Sequence, residues 1–109
     1  DIGSFDWVLG ANLICRLERP RDFLADLPRL VRPGGWLVLN SPFTWLAEHT
    51  PPSEWIGARA EGPGSAEELK EILDPSFELV DEEPMPFLIR ETERKYQLTV
   101  AHSGRWRRR

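Results

Sequence analysis

The chain has 109 residues, of which 40% are hydrophobic and 29% charged, with a formal net charge of −4. This is the composition of one small globular domain at most. It excludes a membrane-spanning helix, because no stretch approaches the roughly 18–20 apolar residues required, and the negative balance argues against nucleic acid as the main partner. The opening residues, Asp1 to Asp6, lack the basic start of a secretory signal. Cys15 is the single cysteine, so no internal disulfide or cysteine metal cluster can form, which fits a cytoplasmic location. The basic run Arg105-Trp106-Arg107-Arg108-Arg109 is expected to be a solvated chain end.

In chain order, Phe5 to Leu9 is a short apolar run of the kind seen in parallel strands covered on both faces. A polar-tinged connection, Gly10 to Arg19, follows. From Pro20 the period changes, and Phe23, Leu24, Leu27, Leu30 and Val31 share one helical face. Pro20 suits the first helical position, Pro28 should kink the helix or loosen a turn, and Pro33-Gly34-Gly35 stops it. Trp36 to Leu39 is a second apolar run. Strand, helix, glycine turn and strand make a βαβ unit with parallel strands. Residues 43–64, rich in proline, glycine and tryptophan, read as a structured loop. Ser65 and Glu68 read as a capping box with Ser65 as N-cap, opening a helix that runs to about Leu73 before Asp74-Pro75. Phe77 to Glu83 reads as a third strand whose alternation fails at Val80. Pro84 to Glu93 reads as a loop with an apolar centre, and Tyr96 to about Ala101 as the last strand. The connection before that last strand is too short for a helical crossover, so the strand is expected to return antiparallel.

The succession Phe5-Asp6-Trp7-Val8-Leu9, Pro20, Phe23-Leu24, Leu27, Leu30, Arg32-Pro33-Gly34-Gly35, Leu37-Val38-Leu39 and Pro42 resembles the fourth strand, following helix and fifth strand of class I S-adenosylmethionine-dependent methyltransferases. A second set of residues is more specific. Ala11 to Leu17, Ser41 to Leu46, Thr50-Pro51, Trp55-Ile56-Gly57, Met85 to Glu91 and Arg94-Lys95-Tyr96-Gln97 are similar to the methyltransferase domain of ovothiol-biosynthesis proteins. Those proteins are described as 4-mercaptohistidine N1-methyltransferases and are usually fused to an iron-dependent sulfoxide synthase. The resemblance implies an α/β fold, the C-terminal half of a Rossmann-like methyltransferase sheet, with three parallel strands and one antiparallel strand inserted between the second and third. It implies S-adenosyl-L-methionine as cofactor and a thiohistidine-like small molecule as methyl acceptor. The implied partner is the N-terminal half or a sulfoxide synthase module. The sequence departs from the family pattern at one point. The first strand, glycine-rich loop and acidic ribose residue of such a domain have no counterpart in residues 1–109. The chain therefore reads as a partial domain, inactive alone, with a bare first strand that favours marginal stability or self-association.

Ligands of parallel sheets bind at the carboxyl ends of the strands. That puts the connections Gly10–Arg19, Ser41–Gly64 and Pro84–Lys95 on the reactive side. Following the resemblance, Gly10, Ala11, Asn12 and Leu13 approach the methionine end of the cofactor, largely through backbone. Candidate substrate contacts are Asn12, through its amide, and Arg16, through a forked pair with a carboxylate. Ser41, Phe43 and Trp45 follow, the aromatics being able to stack on an imidazole. Arg90 and Lys95 could attract a carboxylate. Each has a plainer alternative: Asn12 caps a loop, Arg16 lies on the surface, and Trp45 and Trp55 pack the loop. His49 is a candidate base. His102 is set aside, because it follows a strand expected to run back to the far side. Two histidines and one cysteine give no metal-ligand spacing. No catalytic residue is assigned, and none is required, since positioning alone can supply roughly 7–11 kcal/mol to a bimolecular step. Three other readings stand beside this one. They are a different small-molecule N-, O- or S-methyltransferase, a nucleotide-cofactor dehydrogenase fragment with a parallel last strand, and a degenerate half-domain that binds a partner through its sheet edge.

Overall fold

The computed structural model describes residues 3–57 and 64–109. Among these residues the chain forms β1 (Phe5–Ala11), α1 (Pro20–Leu30), β2 (Val31–Ser41), α2 (Ser65–Leu73), β3 (Phe77–Arg90) and β4 (Tyr96–Arg108), with 3₁₀ turns at Ile14–Arg16 and Pro52–Glu54. Residues 58–63 of the expected loop lie outside the described residues.

The sheet has the order β1-β2-β4-β3. β1 and β2 are parallel, and β4 runs antiparallel to both β2 and β3. Three strands thus point one way and the fourth is inserted between the second and third, as the sequence led us to expect. The reversal follows from chain length: only residues 91–95 separate β3 from β4, enough for a hairpin and far short of a helical crossover.

One face of the sheet carries the core. Leu37 and Leu39 of β2 meet Leu24 and Leu27 of α1, Leu69 and Leu73 of α2, Phe77 and Trp106 in one buried cluster. Pro20 begins α1 and Pro28 lies inside it. The helix continues past Pro28 by little more than half a turn, and the Arg108 guanidinium donates to the Pro28 carbonyl at 3.1 Å. The glycines before Trp36 have steric causes. Gly34 takes φ +81°, and a Cβ on Gly35 would lie 2.9 Å from the carbonyl oxygens of Arg32 and Asp6, so the two strands approach there only because no side chain intervenes. Nearby, the Arg32 guanidinium pairs with Asp6.

Several elements differ from the sequence reading. Ser65 is not the N-cap of α2. Gly64 holds that position, and no side chain caps it. The Ser65 hydroxyl instead donates to the Ile56 carbonyl at 2.6 Å and accepts from the Trp45 indole at 3.3 Å. Glu68 does not reach back to a cap either, because its carboxylate pairs with Arg21 at 3.0 Å. Val31 leaves the helix and pairs with Phe5 at the start of β2. The failed alternation at Val80 is a bulge: the ladder slips between Leu79 and Asp81, leaving Val80 exposed.

The largest correction concerns the C-terminal third. Pro84 to Arg90 is not a loop but the second half of β3, paired residue by residue with Tyr96–His102. β4 does not stop at Ala101. It continues through the basic run, with Trp106 opposite Leu37 and Leu79 and 1% exposed. The arginines alternate around it. Arg105 pairs with Asp81, Arg107 lies over the Trp36 ring at 5.1 Å, and Arg108 lies over Phe77 at 6.0 Å. The signal was a tryptophan inside the run, at strand period with Gly104. A Cβ on Gly104 would sit 2.4 Å from the Trp106 ring, so the indole lies flat across the glycine. Trp106→Ala should therefore cost about 3–5 kcal/mol, as for other buried aromatic truncations, whereas Arg107→Ala should cost under about 1 kcal/mol. Urea unfolding of the two variants checks this; a solvated tail would give no loss for either.

Candidate functional site

β1 and β2 end side by side, with Gly10 opposite Leu39 and Ala11 opposite Asn40. The ladder extends one step further, since the Asn12 amide donates to the Asn40 carbonyl at 2.8 Å. Then both chains turn abruptly. Asn12 and Phe43 each take φ +54°, and they are the non-glycine residues with positive φ among the described residues. Asn tolerates this conformation, but for phenylalanine it is an outlier. Strained backbone at the carboxyl ends of adjacent parallel strands is an observation that motivates a ligand site.

A cleft of about 190 Å³ opens beside these turns, lined by Asn12, Cys15, Arg16, Pro42, Thr44, Phe87, Ile89, Gln97 and Thr99. Its walls come from the segment after β1, the segment after β2, and the β3–β4 hairpin. Arg16 is fixed in it. Its guanidinium donates to the Thr44 carbonyl at 2.7 Å, to the Thr44 hydroxyl at 3.3 Å and to the Cys15 carbonyl at 3.0 Å. Ser41 is 1% exposed. Its hydroxyl donates to the Cys15 sulfur at 3.5 Å and accepts from the Phe43 amide at 3.0 Å, which helps hold the strained turn. Gly10 is buried, and a Cβ there would meet Leu39 at 2.9 Å, so Gly10 serves strand packing. Ala11, Asn12 and Leu13 are exposed. Trp45 stacks with Phe43 at 6.5 Å.

The structure does not bring Arg90 and Lys95 into this cleft. Arg90 ends β3 at the hairpin tip, where its guanidinium donates to the carbonyls of Thr92 and Glu93 at 3.2 and 3.4 Å and lies 6.0 Å from the Tyr96 ring centre. Lys95 pairs with Glu91 at 3.2 Å across the same turn. The His49 side chain is exposed beside Glu48, at 3.5 Å. Trp55 donates to the Thr50 carbonyl at 2.8 Å.

His102 is where the sequence reading failed. It does not follow the last strand toward the far side. It lies within β4, opposite Ser41 and Pro84, at the carboxyl end of β2. It lines a second, mainly apolar cleft of about 350 Å³ with Phe43, Ala66, Glu82, Glu83, Pro84, Val100 and Ala101. Its Nε2 lies 3.0 Å from Glu82, and Lys70 of α2 holds both oxygens of Glu82 at 3.1–3.2 Å. The His102 hydrogen bond first, and the Lys70 ammonium second, hold the Glu82 carboxyl below the ordinary glutamate range. Lys70 is raised, chiefly by Glu67 and then by Glu82. No set of three or more potential metal ligands occurs among the described residues.

No family model matches the chain, and no curated protein matches it either. Solved structures do. One comes from work on the conversion of a disulfide bond into a thioacetal group during echinomycin biosynthesis, with TM-score 0.63, 20% identity, and coverage of 97% of this chain and 50% of that one. The N-methyltransferase NodS of Bradyrhizobium japonicum, in complex with S-adenosyl-L-homocysteine, gives TM-score 0.59 and 18% identity over 99% of this chain and 48% of that one. A SAM-dependent methyltransferase of Methanosarcina mazei gives TM-score 0.63 and 21% identity over 96% of this chain and 59% of that one. The chain thus spans about half the length of these proteins and shares their α/β fold over that span. A dehydrogenase fragment would need a parallel last strand, and β4 is antiparallel.

Two outcomes follow for these residues. Asn12 is exposed and left-handed, so Asn12→Gly should be neutral or slightly stabilising, while Asn12→Ala should cost about 1 kcal/mol; urea midpoints of the two variants test the strain directly. A carboxyl whose folded pKa is depressed adds stability above its unfolded pKa, about 4.3 for glutamate, and loses it as pH falls through the lower folded value. The difference in urea midpoint between the parent chain and Glu82→Gln should therefore shrink as pH is lowered below about 4.3. A pH-independent difference would mean that the Lys70–Glu82–His102 contacts contribute nothing in solution.

Proposed function

We propose that the chain is the C-terminal half of a class I SAM-dependent methyltransferase domain, and that the whole protein N-methylates a thiohistidine-type amino acid. The observation that carries this reading is the cleft at the carboxyl ends of β1 and β2, built where the strands of a methyltransferase-like sheet turn away through the strained Asn12 and Phe43. It is supported by NodS, whose structure contains the demethylated cofactor product and shares the fold, and by the resemblance of the Ala11–Leu17 and Ser41–Leu46 segments to ovothiol-biosynthesis methyltransferases.

The residues present fit part of the cofactor. Ala11, Asn12 and Leu13 are exposed at the strand end, suited to the methionine portion, while the ribose and adenine would be held by residues outside this chain. Bound there, S-adenosylmethionine supplies an electrophilic methyl group. The chain's own residues then bind and orient the acceptor. The Asn12 amide can accept from or donate to a ring nitrogen. Arg16 is preorganised by Thr44 and Cys15, so a guanidinium N–H can meet the substrate carboxylate without first being ordered. Phe87 and Ile89 supply the apolar wall, which excludes water from the reacting centre. Arg16 takes the carboxylate role in preference to Arg90, because Arg16 lines the cleft and Arg90 lies at the hairpin tip outside it.

The test uses the protein carrying this chain together with its cofactor-binding half. Arg16→Gln should lower kcat/KM for thiohistidine roughly 10- to 150-fold, the equivalent of one charge-assisted hydrogen bond of 1.5–3 kcal/mol. It should change little for a decarboxylated analogue. Equal losses for both compounds would make Arg16 structural. Failure of the intact protein to bind S-adenosylmethionine would remove the methyltransferase reading altogether, and micromolar binding by residues 1–109 alone would show that the cofactor residues are misplaced.

A further inference from the structure

The cleft that holds His102 is separate from the one assigned to the methyl acceptor. The Pro42–Thr44 segment divides them, with Pro42 and Thr44 lining one and Phe43 the other. Its chemistry is also different. Glu82 is a carboxylate held by Lys70, so toward His102 it can only accept. Nε2 must then carry the hydrogen of the 3.0 Å bond, and in the neutral ring Nδ1 is left with a lone pair. That Nδ1 is buried and has no hydrogen-bond partner. A buried polar atom left unpaired is disfavoured and uncommon. The Phe43 ring lies 5.9 Å from the imidazole, tilted by 31°, and the backbone beneath it is strained at φ +54°. Ala66, Pro84 and Val100 make the remaining wall apolar. The volume, about 350 Å³, suits a single ring with short substituents.

We propose that this cleft is a second binding site, for a flat uncharged ring bearing one N–H or O–H donor, which displaces the Phe43 ring and donates a hydrogen bond to His102 Nδ1. Glu82 and Lys70 position the imidazole and fix its tautomer, and Phe43 supplies the strained wall that gives way. The site needs no bound cofactor and stands apart from the methyl-transfer reading.

Pyrazole and 1-methylpyrazole are suitable probes, since both are neutral flat rings and only the first carries an N–H. Titrations of the ¹⁵N-labelled intact protein at neutral pH follow the His102 ring nitrogens. Before addition, Nε2 should be protonated and Nδ1 bare. Pyrazole should shift Nδ1 and bind about 3- to 10-fold more tightly than 1-methylpyrazole, the range for one neutral hydrogen bond. Glu82→Gln presents an amide N–H to Nε2, moves the ring hydrogen to Nδ1 and should abolish that preference. His102→Phe should abolish it while leaving the weaker binding of 1-methylpyrazole in place. The proposal is overturned if Nδ1 carries the hydrogen in the unmodified protein, if the two probes bind equally, or if neither binds. The first two readings come from the unmodified protein and do not depend on how the variants fold. Binding here with no methyl transfer would leave this site standing and remove the enzymatic reading; methyl transfer without probe binding would do the reverse.

Discussion

Strand β4 is hydrogen-bonded along both edges, to β2 from Trp36 to Ser41 and to β3 from Phe77 to Arg90. β2 and β3 run in the same direction, and each finds its partner in a strand that runs against both. The rest of the structure depends on this insertion. It seals the sheet where the α1 and α2 faces meet, because Trp106 stands between Leu37 and Leu79 and lies across Gly104. It also carries the middle of β4 past the carboxyl end of β2, which sets His102 beside Ser41 and Pro84. The element that closes the core is thus the one that delivers the second set of polar groups to the carboxyl end of β2.

Two kinds of constraint shape that end. Backbone strain at Asn12 and Phe43 turns both chains out of the sheet within a residue or two of the last ladder bonds. A hydrogen bond from the Phe43 amide to the Ser41 hydroxyl, and those from Arg16 to Thr44 and Cys15, keep the turned segments in place. On the other side of the Pro42–Thr44 partition, charge does the holding. Lys70 reaches from α2 to Glu82 on β3, and Glu82 reaches to His102 on β4. The polar groups on both sides of the partition are therefore held in place by one another.

The opposite edge of the sheet is unlike this. Phe5, Trp7 and Leu9 of β1 are 43–67% exposed, and among the described residues β1 pairs with β2 alone. Trp7 stacks on Trp36 at 5.7 Å, and Arg107 lies over Trp36 in turn, which shields part of the apolar face. An uncovered apolar edge is a template for pairing with further chain, and the solved structures that share the fold are about twice as long.

What the sequence determined by itself is the βαβ half of the molecule. Periodicity located α1 and the apolar runs located β1 and β2, because each depends on neighbours in the chain; that Gly34-Gly35 lie inside β2, where it passes close to β1, was decided by the tertiary structure. The antiparallel return was legible too, from a connection too short to cross the sheet. Tertiary structure decided the rest. Pro84 and Pro86 lie within β3, although proline cannot donate to a ladder; β3 has only β4 as a partner among the described residues, and prolines within sheets are confined to such edge strands. Arg105–Arg109 looked like a charged tail because each arginine is polar, but Arg105, Arg107 and Arg108 are neutralised or stacked by Asp81, Trp36 and Phe77, and Trp106 is buried beside Leu37 and Leu79, residues far away in the chain. For the same reason His102 could not be located in advance: its position is set by register against β2 and β3, and register is fixed by long-range packing rather than by any local pattern.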